Sequence, residues 1–338
     1  MLTKSFSLEK VANFMSGQGT AFILISAIIL GSALGIFLPE TGSALSGQID
    51  HTILLLVFLL LFDVRIQNIL GSLNRVSFIV AALIANFVVI PALGFLIASV
   101  FLSTHPLFFI GLLIYFMAPC TDWFLGFTRL ARGNTALGAA LLPINMIIQL
   151  LLYPVYLHIF GIDAIEANTA DLFQTLWQWF FIPLFLAFTS RFLLERILNK
   201  HQFETIQSIT SIVVPILLAT LVLQLCATNI GVLAENMNVF PLILSAIFTF
   251  FIVTFFLSNT IAKLMKLSYE DRVLMKMTTA ARNAPLMLVL TMAVIPDQPI
   301  IYAAIIIGML IELPHLVGLK VILTRKYLKE TNSATSLA

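Results

Sequence analysis

Ten apolar runs, each long enough to cross a lipid bilayer, dominate this chain. They lie at about 21–38, 52–70, 77–101, 105–128, 135–160, 172–194, 206–226, 238–262, 274–295 and 299–323. A hydrocarbon core of roughly 30 Å is crossed by a helix of about 20 residues. Charged residues make up 10% of the chain, against roughly 25% in soluble domains. An all-α polytopic membrane protein is therefore expected, with ten transmembrane helices. The run at 21–38 reads as a retained span, because no small-residue cleavage pattern precedes Pro39-Glu40.

The charges sort by side. With ten spans and alternating loops, every Lys and Arg except Arg282 falls on the side of the two termini. The opposite loops carry only acids, among them Glu40, Asp50, Asp163, Glu235 and Asp297. Lys and Arg stay cytoplasmic by the positive-inside rule, so both termini are expected in the cytoplasm. That layout implies a multi-pass protein of the inner (plasma) membrane. Trp177 and Trp179 open the sixth run at the outer face, as an aromatic belt does. Asp63 and Arg65 read as an interfacial pair.

The loop at 161–171 is the natural midpoint, with five spans before it and five after. An odd number per half inverts the halves relative to each other. The expected organisation is a cytoplasmic segment at 1–18, a first five-helix repeat at 19–165, a second inverted repeat at 166–324 and a cytoplasmic tail at 325–338. The fourth span of each half is interrupted. Pro119 breaks the first, in Ala118-Pro119-Cys120-Thr121-Asp122, and Pro285 breaks the second, in Ala281-Arg282-Asn283-Ala284-Pro285. Proline lacks the N–H and clashes with the preceding turn, so a helix must kink or stop there. Paired interrupted spans point to a binding site near the midplane of a secondary transporter.

The polar residues at and near these breaks are the candidates for chemistry. Cys120 reads either as a soft ligand for a metalloid such as trivalent arsenic or antimony, or as a small residue packing at a kink. Thr121 follows it. Asp122 and Arg282, in opposed breaks, form a structural ion pair or contact substrate; ionisable groups at this depth are functional by default. Arg282 then offers donors to an anion, and Asn283 adds a carbonyl to the sodium candidates Asn145 and Gln149. Asn145 and Gln149 are four apart on one helix face. Their carbonyl oxygens suit sodium or an interhelical hydrogen bond. Glu312 and His315 are three apart in the last span and either pass a proton or pair structurally. Cys226 reads as packing.

With these residues laid out, the chain resembles the bile acid/sodium symporter superfamily and, within it, the Acr3-type arsenite transporters. Ala118-Pro119-Cys120-Thr121 carries the resemblance most strongly, together with Asn145, Gln149-Leu-Leu-Leu-Tyr153 and Ile311-Glu312-Leu313-Pro314. The resemblance implies two inverted five-helix repeats whose broken fourth and ninth helices cross, alternating access, and a required cysteine at Cys120. It also implies proton-driven export of arsenite or antimonite. The chain departs from the pattern in having Leu286 where an acid is expected, Arg282 where a small residue is, and an added Asp122.

The leading expectation is thus an ion-gradient-driven exporter of arsenite or a related solute. The alternative is a sodium-coupled symporter of a small organic anion. Substrate-binding candidates are Cys120, Thr121, Asp122, Arg282 and Asn283; coupling candidates are Asn145, Gln149 and Glu312; Pro119 and Pro285 are structural breaks. Expected partners are a small-molecule or metalloid substrate and the lipid bilayer, with no nucleic acid. No cofactor or resident metal is expected, the coupling ion being a proton or sodium. An intramembrane protease is excluded by the lack of a His-Glu-x-x-His cluster or a second deep aspartate. No Walker A pattern occurs.

Overall fold

The computed structural model describes residues 19–62, 75–120, 123–160 and 177–335. Among these the chain is helical throughout, without strands. Where they are described, the apolar runs fall on helices or on broken pairs of helices. By length and apolarity, six helices among the described residues qualify as candidate membrane spans, or up to seven if the bent pair Pro39–Ser46 and Ile49–Phe62 is one span. The fourth and ninth runs miss that count for a physical reason: each is split into pieces of 12 residues or fewer, Pro106–Met117 and Trp123–Leu130, then Tyr269–Ala280 and Ala284–Val294. The sixth misses it because its helix, Ile182–Ile197, has only 16 residues and carries Arg191, Glu195 and Arg196. The segments 1–18 and 161–171, and the pair Asp63 and Arg65, lie outside the described residues.

The chain forms two compact units. The first comprises Met1–Val64, Asp163–Phe240 and Pro285–Ile306. Its main packing is between α1 (Thr20–Phe37) and the long helix α2 (Lys200–Glu235). Gly31 and Gly35, one turn apart, let the two backbones touch. A Cβ at Gly31 would strike the Leu223 carbonyl, and one at Gly35 would sit 2.5 Å from that of Ala227. Small residues of this kind let helices approach in a lipid environment, where apolar burial gives no driving force. Cys226 is buried on the same face of α2. Arg191, 5% exposed, closes the unit elsewhere by donating to the Phe62 carbonyl at 2.8 Å and to Glu195 at 2.9 Å.

The second unit comprises Arg65–Ile162, Pro241–Ala284 and Ile307–Ala338. It holds α3 (Val76–Leu102), α4 (Pro106–Met117), α5 (Thr135–Ile159), α6 (Phe240–Leu264) and α7 (Tyr269–Ala280). The last helix, α8 (Pro299–Thr335), enters it from Ile307 onward. Near the start of α7 a polar knot ties helix starts together. Asn134 caps α5 by accepting from the Leu137 N–H and donates to Asp271 at 2.8 Å. Arg75 reaches the same carboxylate at 3.3 Å. Tyr269 donates to the carbonyls of Ala131 and Leu323 at 3.1 and 3.0 Å. A π-turn at Ala85–Val89 widens the middle of α3 and carries Asn86, and such turns favour functional positions.

Candidate functional site

The site is built where two helices stop. α4 ends at Met117, and Ala118, before Pro119, is extended (φ −95°, ψ 101°), as the residue before a proline must be. α7 ends at Ala280, and Ala281 is likewise extended (φ −74°, ψ 138°). The two extended stretches pair antiparallel, with Pro119 opposite Arg282. The Cys120 N–H donates to the Ala281 carbonyl at 2.9 Å, and the Asn283 N–H to the Ala118 carbonyl at 3.0 Å. Backbone freed at membrane depth must find such partners. The prolines differ in role: Pro119 lies within the break, whereas Pro285 is the second residue of the helix Ala284–Val294, where its missing N–H costs nothing.

Arg282 is fully buried. Its guanidinium donates to the carbonyls of Phe116 at 3.0 Å, Thr278 at 3.2 Å and Thr279 at 2.7 Å. These belong to the last turns of α4 and α7, whose terminal carbonyls lack helical partners. One side chain therefore caps two helices. The Phe250 ring lies 5.6 Å below it and stacks on Phe116 at 4.1 Å. Asp122, the expected ion-pair partner, lies outside the described residues, as does Thr121.

Cys120 is also fully buried and adopts φ 29°. A non-glycine residue at positive φ is strained, typically by about 1–3 kcal/mol, and persists where its surroundings hold it. Here the bridge holds the backbone, and Asn145 holds the thiol by donating Nδ2–H to Sγ at 2.9 Å. The same amide reaches Thr278 Oγ1 at 3.5 Å, and Asn86 donates to that oxygen at 3.2 Å. The carbonyl oxygens of Asn86 and Asn145 are buried and have no hydrogen-bond partner among the described residues. The amides of Asn145 and Asn86 thus join the thiol and the Thr278 hydroxyl, and each keeps an open acceptor. Gln149, one turn beyond Asn145, is 2% exposed. Asn283 is buried, with its backbone in the bridge.

Glu312 and His315 meet different neighbours. The Tyr115 hydroxyl donates to Glu312 Oε2 at 3.2 Å, both residues being fully buried. His315 instead stacks on Phe251 at 3.8 Å. Gly308 lies under the Tyr115 ring, where a Cβ would come within 2.8 Å. No cluster of three or more His, Cys, Asp or Glu suited to a metal ion exists among the described residues. Sequence reasoning missed Asn86 and Thr278. The available signals were a lone carboxamide in the run 77–101 and two threonines just before the second break.

Apolar helices interrupted at a buried polar bridge are a feature of polytopic membrane proteins that carry a site within the bilayer. A model of the Sodium Bile acid symporter family matches residues 52–236, and the chain belongs to that family. It is 26% identical over 316 residues to the Arsenical-resistance protein Acr3 of Corynebacterium glutamicum, covering 86% of this chain and 85% of that one. It is 23% identical over 332 residues to the Arsenical-resistance protein Acr3 of Alkaliphilus metalliredigens, covering 90% and 92%.

Proposed function

We propose that this chain is a secondary transporter that exports arsenite, antimonite or a related small solute by alternating access, with a proton gradient as the driving force. The observation that carries this reading is the Cys120 thiol, held in a strained turn by the Asn145 amide, with the carbonyl oxygens of Asn145 and Asn86 buried and open. Arsenite at neutral pH is an uncharged trihydroxide. A soft sulfur suits its arsenic, and carboxamide oxygens suit its hydroxyls. Glu312 is the proton-carrying group in this proposal, and Tyr115 is its hydrogen-bond partner. Ten spans in two inverted five-helix repeats, with both termini cytoplasmic, complete the reading.

The alternative, sodium-coupled uptake of an organic anion, needs Arg282 as the anion receptor. Three of its N–H bonds already go to backbone carbonyls, which disfavours that role. The deciding experiment compares arsenite accumulation in cells lacking their own exporters, with the parent chain or Cys120→Ser expressed at equal membrane levels. Lower accumulation with the parent, lost in the variant, supports thiol-assisted export. Equal accumulation in parent and empty cells sinks it.

A further inference from the structure

Among the described residues, Arg282 is the one buried charge at the paired breaks that the transport reading leaves without a task. A full charge at this depth is costly unless its surroundings repay it. Here the main repayment is backbone. The carbonyls of Phe116, Thr278 and Thr279 end two separate helices and converge on one guanidinium at 2.7–3.2 Å. Each helix C-terminus carries roughly half a negative elementary charge. Two such ends at one point therefore amount to about one negative charge, which a single monovalent cation neutralises. In interrupted membrane helices, unwound carbonyls and half-helix C-termini are the groups that coordinate coupling cations.

We propose that Arg282 is a tethered cation: its guanidinium fills the place where the two half-helix C-termini would otherwise gather an exchangeable monovalent metal ion. The crossing is loaded permanently, and an alkali-metal gradient has no purchase there. The shape of the group suits this task. A planar fork reaches carbonyls on two helices at once, which an ammonium does only as a point charge. The Phe116–Phe250 stack, with rings 13° from parallel, covers the fork. Neither an anionic substrate nor the proton-carrying group is required for this role, so it goes beyond the transport reading.

The test is thermal unfolding of the purified chain in choline, sodium or potassium chloride at equal ionic strength, with sub-denaturing guanidinium as a further arm. The parent is expected to melt at one temperature in all three chlorides. Arg282→Ala should melt lower and recover part of the loss, saturably, with sodium or guanidinium, since a ligand that binds only the folded state stabilises it. Arg282→Lys should melt between the two and ignore sodium. The proposal is overturned if Arg282→Ala melts like the parent, or falls without gaining any cation response. It is equally overturned if the parent shows a sodium response that Arg282→Ala abolishes. Should Arg282→Ala not fold, Arg282→Lys decides: a folded, sodium-indifferent variant supports the proposal, and an unfolded one overturns it. No arsenite enters the measurement, so its failure is separate from failure of the export reading.

Discussion

Pro119 and Arg282 stand opposite each other in an antiparallel bridge, with one backbone hydrogen bond on each side of them. A proline cannot donate, so the bonds come from its neighbours: Cys120 donates to Ala281, and Asn283 to Ala118. This arrangement explains why the thiol points where it does. Cys120 takes φ 29° with its own N–H committed across the bridge. Its side chain is then turned toward Asn145.

Replacing Cys120 by serine is expected to leave the fold intact and abolish arsenite export. A hydroxyl fits the same space and still accepts from Asn145 Nδ2, but it is a hard ligand with little affinity for trivalent arsenic. The check is arsenite uptake into everted membrane vesicles, normalised to protein amount. Uptake at the parent's rate would remove the thiol from the transport step.

The open oxygens of Asn86 and Asn145 lead to a second expectation. If Asn86 accepts one hydroxyl of the substrate, Asn86→Ala removes one hydrogen bond, worth about 1–1.5 kcal/mol. That corresponds to roughly a tenfold rise in KM, with a smaller change in maximal rate. Asn145→Ala should cost more, because it also frees the thiol. Vesicle uptake over a range of arsenite concentrations distinguishes the two. An unchanged KM in Asn86→Ala would return that residue to a purely structural bond with Thr278.

Much of this architecture is legible in the sequence, and the reason is solvent. A bilayer demands long apolar helices, so among the described residues the apolar runs lie on helices, six of them long and apolar enough to span. Proline at depth marks the breaks, and both Pro119 and Pro285 lie at one. What the breaks do to each other is not written in residue types. Arg282 invites a search for a carboxylate, yet the partners described are carbonyls, which every residue carries. Asn86 escapes notice because a π-turn needs no glycine or proline to announce it. Glu312 and His315 share a helical face by spacing, but Tyr115 and Phe251 take one each.

Glu312→Gln is expected to uncouple transport from protons. The amide still accepts from the Tyr115 hydroxyl, so packing is preserved, but it cannot release a proton. Arsenite uptake into everted vesicles should then stop responding to an imposed pH gradient while arsenite binding persists. Tyr115→Phe should keep the response at a reduced rate, since the carboxyl remains and loses only one donor. A Glu312→Gln variant that still follows the gradient would place proton coupling elsewhere.

The glycines of α1 provide a stability test that does not involve transport. A Cβ at Gly35 would sit 2.5 Å from the Ala227 carbonyl, which is backbone and cannot swing away. Gly35→Val must therefore push α1 off α2, and overpacking of this kind typically costs about 1–3 kcal/mol. The expected result is a lower melting temperature and less protein in the membrane. Gly126 is the control, because nothing lies within 4 Å of the Cβ it would gain. Gly126→Ala should melt at or above the parent, since alanine favours a helix over glycine by about 1 kcal/mol. Equal stability for Gly35→Val and Gly126→Ala would show that the close approach of α1 and α2 contributes nothing to the first unit.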